Sequence, residues 1–398
     1  MRKRFFLVSL SYIGEGALSG GDRISTEILR YWQNEFDMYV VSSDDYLSVL
    51  KNTQVKAPHT LTLPSNIKRH DTLWHHAGYL LERTWKGIKW AIKNYSYETG
   101  DIVYSSSDFW PDSFPAFFMK IRYPELRWVA GFYLFAPPPW KKNSPYKGKN
   151  FLRGLFYYLS QLPSYWLIKK FADIVFVTSE PDKKRFITKK RPQEKVIVIQ
   201  GFVCMHEIAP LKEKFQNLPK IYDGCFMARL HYQKGCLELI EIWKQVVEKK
   251  NDAKLAIIGD GPLKEEMKQK VREYGLVNHV EFLGTLLGEE KYRVFAQSRV
   301  MLHPATYDSG GMAMAEGMAL GLPGVSFDLE ALKTYYPQGV IKTPCFDIQK
   351  FAENVLHLLY DSQLYTELSQ QAKNLIITVW DSEIRNKQLL DTFLSVLP

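Results

Sequence analysis

The sequence predicts an α/β protein built from two parallel-sheet halves of about equal length, and three observations carry that reading. At 398 residues the chain exceeds what one ordinary hydrophobic core fills, because domains run to ~100–200 residues. Strand-like and helix-like segments alternate through most of it, the pattern of layered folds with parallel sheets. Hydrophobic residues at 46% and charged residues at 24% are ordinary for packed domains and exclude a disordered or fibrous chain.

In the first half, residues 5–10 read as a strand, 21–35 as a helix, and 38–42, 101–105 and 174–178 as further strands. The second half is more regular: strand 224–228, helix 235–247, strand 254–258, helix 262–274, strand 280–283. Pro262 opens that second helix and Gly275 stands just past its end, as the asymmetry of helix termini requires. Helix 289–298, strand 300–303, a glycine-bearing turn at 308–311 and a short helix ending before Gly321 and Pro323 follow. The halves join near residues 201–219, which divides the chain into domains 1–200 and 201–382. No repeat of 20–50 residues is present, which sets solenoids and propellers aside.

Charge divides with the halves. Residues 1–200 carry 30 Lys/Arg against 18 Asp/Glu, and residues 201–398 carry 22 against 25. A one-sided basic excess suits an anionic partner. Cys204, Cys225, Cys236 and Cys345 form no C-x-x-C pair and no zinc-like spacing with histidine, so a reducing cytosol is expected. Residues 1–13 have the basic tip and short apolar run of a signal peptide, but serines interrupt the run, which reads better as a first buried strand. The longest uncharged stretches, 128–140 and 154–168, contain proline and fall short of the ~20 apolar residues that span a bilayer.

The chemistry concentrates in residues 307–325, YDSGGMAMAEGMALGLPGV. Seven residues separate Asp308 from Glu316, and Gly310 and Gly311 sit between them at a strand-to-helix turn. Free amides and the helix dipole suit a phosphate there, and side-chain-free glycines let it approach. Glu316, about two helical turns on, could accept hydrogen bonds from ribose hydroxyls. A packed helix of small residues with one capping Asp is the plainer alternative.

This stretch resembles the E-x7-E motif of retaining GT-B glycosyltransferases of family 4. Residues 224–235 (GCFMARLHYQKG) resemble that family's opening strand and R-x4-K pair, here Arg229 and Lys234, and IGDGP at 258–262 and FLG at 282–284 follow in the same order. The resemblance covers nearly all of the C-terminal half and is weaker before it. It implies two Rossmann-like domains facing an interdomain cleft, with a helix near 383–398 returning to the N-terminal domain. It implies transfer of a sugar, with retention, from a nucleotide diphosphate sugar to a lipid-linked or membrane-proximal glycan, at the inner face of a membrane. Arg229 and Lys234 would hold the diphosphate and Glu316 the ribose. Asp308, Ser309 and the Gly310, Gly311 and Met312 backbone would orient sugar and phosphate, and Gly20 and Gly21 would lie near the diphosphate and acceptor. Breaking the anomeric bond puts negative charge on the phosphates, which preorganised cations and amides stabilise. No D-x-D triplet occurs, in keeping with an enzyme that needs no metal and no cofactor.

Two departures stand out. The family has glutamate where this chain has Asp308, and a histidine where this chain reads Gly131, Phe132, Tyr133. They support an alternative, a non-catalytic subunit of the same fold that binds a partner or glycan. Residues 14–22 (GEGALSGGD) also admit a dinucleotide fingerprint, with Glu35 or Asp44 as ribose acceptor, and hence a dehydrogenase.

Residues 126–172 hold eight Lys/Arg, thirteen aromatics and no Asp or Glu, a mixture suited to an anionic membrane surface. A buried aromatic core with a basic edge is the alternative, and the donor motifs argue against nucleic acid. His70, His75 and His76 lack carboxylates at metal-ligand spacing and read as surface residues, while His303 reads as structural.

Overall fold

The computed structural model describes residues 2–13, 19–67, 72–141 and 144–397. It divides into two compact units. The first comprises residues up to 141, Tyr146–Gly201 and the chain from Asn386; the second comprises Phe202–Arg385 and a short segment ending at Pro145.

In the first unit the elements run β1 (Arg4–Ser9), α1 (Gly20–Trp32), β2 (Asp37–Ser42), α2 (Asp44–Asn52), β3 (His59–Thr62), α3 (Leu73–Lys93) and β4 (Ile102–Ser105). They continue with α4 (Trp110–Arg122), β5 (Arg127–Phe132), α5 (Phe151–Phe171), β6 (Ile174–Val177), α6 (Glu180–Lys183) and β7 (Val196–Val198). The strands form one sheet in the order β3-β2-β1-β4-β5-β6-β7, every pair parallel. β1, β4 and β6 are buried along almost their whole length, which is why they read as unbroken apolar runs rather than as alternation.

The second unit runs α7 (Met205–Phe215), β8 (Tyr222–Met227), α8 (Cys236–Lys249), β9 (Leu255–Ile258), α9 (Lys264–Glu273), β10 (Val280–Gly284), α10 (Gly288–Ala296) and β11 (Ser298–His303). It ends with α11 (Met312–Ala319), β12 (Gly324–Phe327), α12 (Glu330–Tyr335), β13 (Val340–Thr343), α13 (Ile348–Tyr360), α14 (Ser362–Leu375) and α15 (Ser382–Val396), the last of which passes into the first unit at Asn386. Its sheet order is β10-β9-β8-β11-β12-β13, again all parallel. Trp243 and Phe351 anchor one covering layer, Met318 and Trp380 the other.

Both sheets are doubly wound, and both reverse direction beside their first strand, between β1 and β4 and between β8 and β11. In such sheets ligands bind outside the carboxyl ends of the strands at that reversal. The first unit is completed by the end of the chain. Phe393 of α15 stacks on Trp32, with ring centroids 4.9 Å apart, and lies 6.1–6.3 Å from Phe5, Phe36 and Phe176.

Candidate functional site

The reversal in the second unit is built by two loops. Beyond β8 the chain passes exposed Arg229 and a short turn at Tyr232–Lys234 before entering α8. Gly235 closes the turn at φ +66°, and a Cβ there would lie 1.7 Å from the Pro304 carbonyl oxygen. Only glycine lets the β8 loop press onto the backbone that follows β11. The Gln233 carbonyl then accepts from the amides of Thr306 (3.0 Å) and Tyr307 (3.1 Å), locking the loops together.

This seam brings Lys234 to Asp308. Lys234 Nζ donates to Asp308 Oδ2 at 2.6 Å, and His303 Nε2 lies 3.2 Å from the same oxygen. Asp308 Oδ1 accepts from the amides of Ser309 (2.7 Å) and Gly310 (3.4 Å). The side chain is only 7% exposed. Burial alone would push this carboxyl up, but Lys234 and His303 hold it well below the usual carboxylate range, so it is an anion at neutral pH. Asp308 is thus a strut that aims Lys234 and shapes the turn.

α11 begins beyond that strut. Its N-cap, Gly311, takes φ +60° and ψ +52° and offers no side-chain cap. The Tyr336 hydroxyl donates to the carbonyls of Gly310 (2.9 Å) and Gly311 (2.8 Å), holding the turn out of the helix. First-turn amides that no cap side chain satisfies, beside a lysine, make an anion-binding surface. Gly310, Gly311 and Met312 are brought to it, with Ser309 half-buried alongside. Arg229 lies on the neighbouring loop and has no hydrogen-bond or ion-pair partner among the described residues.

Glu316 corrects the sequence reading. The helix starts at Met312, so Glu316 is its fifth residue, about one turn in rather than two. It is 2% exposed, and Lys291 Nζ of α10 reaches both carboxylate oxygens at 3.0 Å. Sequence reasoning missed Lys291. Its signal is register, because Lys291 stands four residues before buried Phe295 and next to buried Tyr292, on the face of α10 that should be apolar. Tyr336 carried no comparable signal.

Gly20 and Gly21 lie in the other unit and are not in a loop: they form the first turn of α1. Ser19 Oγ accepts from the Asp22 amide and Asp22 Oδ2 from the Ser19 amide, a capping box. This helix tip is already closed by its own carboxylate, unlike that of α11. Residues 14–18 of the proposed fingerprint, and His70, lie outside the described residues. His76 packs toward Tyr79 and Phe156, and among the described residues no three His, Cys, Asp or Glu gather as a metal site.

The C-terminal half of the chain contains a match to a known family. Residues 211–375 match the family model of glycosyl transferases group 1. An uncharacterized glycosyltransferase of Methanocaldococcus jannaschii is 27% identical over 196 residues, 48% of this chain and 47% of that protein. The amylovoran biosynthesis glycosyltransferase AmsD of Erwinia amylovora is 28% identical over 213 residues, 53% of this chain and 57% of AmsD. The matches thus span about half the length of these relatives. Crystal structures of Anabaena HepE with UDP and glucose (TM-score 0.71, 15% identity) and of Staphylococcus aureus TarM with UDP, alpha-GlcNAc-glycerol and Fondaparinux (0.71, 14%) cover 99–100% of this chain and all of theirs. The fold is GT-B, and the likenesses support a group 1 glycosyltransferase.

Proposed function

We propose that the chain is a retaining glycosyltransferase of family 4 that moves a sugar, a hexose as the working case, from a nucleotide diphosphate donor to a glycan or lipid-linked acceptor, without a metal. One observation carries the reading: Lys234, held by Asp308, and the uncapped tip of α11 meet where the second sheet reverses, with exposed Arg229 on the loop that carries Lys234. In the reaction the acceptor oxygen bonds to the anomeric carbon as the bond from that carbon to the diphosphate breaks. The acceptor proton passes to a phosphate oxygen and the nucleoside diphosphate leaves. Lys234, Arg229 and the amides of Gly311 and Met312 stabilise the charge that grows on the leaving group. Asp308 positions Lys234; Glu316, buried and paired with Lys291, would have to open from that pair to meet the ribose.

HepE and TarM are described with UDP, which supports uridine donors as the first to test. UDP, GDP and ADP are compared by thermal shift, and the preferred one raises the melting temperature by mass action. Arg229→Ala is expected to weaken nucleotide binding by about tenfold or more at nearly unchanged stability, because an exposed unpaired arginine holds nothing else. No shift with any nucleotide, and no nucleotide release from a panel of donor sugars with lipid acceptors, would reject the proposal. Association with an anionic membrane belongs to the same reading.

A further inference from the structure

The aromatic and basic segment 126–172 separates into two populations in the structure. Trp128, Phe132, Tyr133 and Tyr146 are buried in the first unit, as the core alternative expects. Trp140, Leu152, Leu159 and Trp166 are 51–69% exposed, and three of these lie on α5. They form a stripe, because the Leu152, Leu159 and Trp166 spacing of seven keeps each on one side of the helix at ~100° per residue.

A second stripe lies on α3, which the sequence reading did not single out. Trp74, Leu81, Trp85 and Ile92 are 87%, 57%, 68% and 43% exposed. Their steps of seven, four and seven place all four within ~40° of one line along the helix. The opposite face, with Tyr79, Leu80, Trp90 and Ala91, is buried. Both helices belong to one layer: α4 packs between them, Trp110 Nε1 donates to the Ser160 carbonyl of α5 at 2.6 Å, and His76 of α3 meets Phe156 of α5.

Charge selects the occupant. Helices α3, α4 and α5 carry nine Lys/Arg and two acids, Glu82 and Asp112. Asp112 is fully buried, and Glu82 is bonded to Lys86, Ser65 and the amides of Asn66 and Ile67. On these three helices no described acid is therefore left to pair with exposed Lys89, Lys93, Arg153 and Lys170, and Lys170 Nζ sits 4.8 Å over the Trp166 ring. A second copy of this face would bring like charges together. Tryptophans beside lysines on helices lying in one layer match the headgroup zone of an anionic bilayer.

We infer that α3 and α5 form a two-ridged platform that seats the first unit on an anionic membrane, with Trp74, Trp85 and Trp166 entering the interface. The inference sharpens the membrane part of the proposal and rests on no feature of the donor site.

The test uses the full chain and flotation with vesicles of phosphatidylcholine alone or with about one third phosphatidylglycerol. Wild type is expected to float with the anionic vesicles, less so with neutral ones or at high salt. Trp74→Ser with Trp85→Ser, and separately Trp166→Ser with Leu159→Ser, should each weaken binding by about tenfold or more. Nucleotide-induced thermal shift, measured on every variant, should remain at the wild-type value; it reports both folding and the donor site independently of lipid. Wild type that ignores anionic vesicles overturns the inference. So does retention of binding by the tryptophan variants when Lys89→Glu with Lys93→Glu alone abolishes it, since the stripes would then not insert. Binding to an acidic soluble protein with no vesicle binding would overturn the lipid assignment.

Discussion

Replacing Asp108 with asparagine should make the protein more stable at neutral pH and leave it nearly unchanged in mild acid. Asp108 follows β4, is 7% exposed, and its Oδ2 accepts from Gln161 Nε2 at 2.9 Å. Gln161 is fixed in turn, donating to the Leu134 carbonyl and accepting from the Ala136 amide. Burial pushes the Asp108 carboxyl from its ordinary 3.8 up to about 7, with only part of the rise offset by Gln161. The folded protein therefore keeps this proton to near neutrality, whereas the unfolded chain releases it near pH 4. Where the folded state binds more protons, stability falls as pH rises, so this group costs stability progressively from about pH 4 to 7. At ~1.4 kcal/mol per pH unit the full cost is about 4 kcal/mol, and local relaxation reduces it to about 2–4. A carboxamide at this position is neutral at every pH and keeps an oxygen for Gln161, so Asp108→Asn removes the cost. Urea unfolding of both proteins at intervals from about pH 4.5 to 8 measures the difference. Tryptophan fluorescence follows the relevant unit, which holds eight of the ten tryptophans. A stability difference that is the same at both ends of the range would refute the reasoning, since the carboxyl would then titrate alike in both states.

Gly235→Ala should lower stability by at least ~1–2 kcal/mol, the cost of left-handed backbone for an L residue, and more because the Pro304 carbonyl must move. The same shift withdraws Lys234 from Asp308, so nucleotide binding in a thermal-shift titration should fall with it; unchanged binding would show that the seam does not aim Lys234. Lys291→Met leaves the Glu316 carboxylate, 3% exposed, without its cation, and an expected loss of about 3 kcal/mol should be partly recovered in Lys291→Met with Glu316→Gln. A denaturation cycle with no recovery would mean that the pair is not coupled.

The strands were legible because parallel strands buried on both faces are written as apolar runs, and residues 5–10 read from sequence are Arg4–Ser9 in the fold. Helix α1, read as 21–35, runs over Gly20–Trp32 in the fold. α3 was not found: Trp74, Leu81, Trp85 and Ile92 make its exposed side as apolar as its buried one, which erases the period that identifies a surface helix. α5 was hidden in the same way, with Pro163 inside it besides. Within the site, local features were readable: the glycine turn, Asp308, Lys234 and Arg229. What they touch was not. The bond from Lys234 to Asp308 spans 74 residues and that from Lys291 to Glu316 spans 25, and no local pattern encodes either. The Asp308 strut and the Tyr336 bonds keep Ser309 to Gly311 out of the helix, which is why Glu316 falls one turn in rather than two.

The ring of Phe393 imposes a timetable on synthesis. Phe5, Trp32, Phe36 and Phe176 leave the ribosome early, but the side chain that plugs the hollow among them arrives only after the whole second unit has been made. Until then the nascent first unit carries an open aromatic socket. A fragment cut at Gly201 would keep that socket permanently, whereas one rejoined to the residues from Asn386 onward would bring its own stopper.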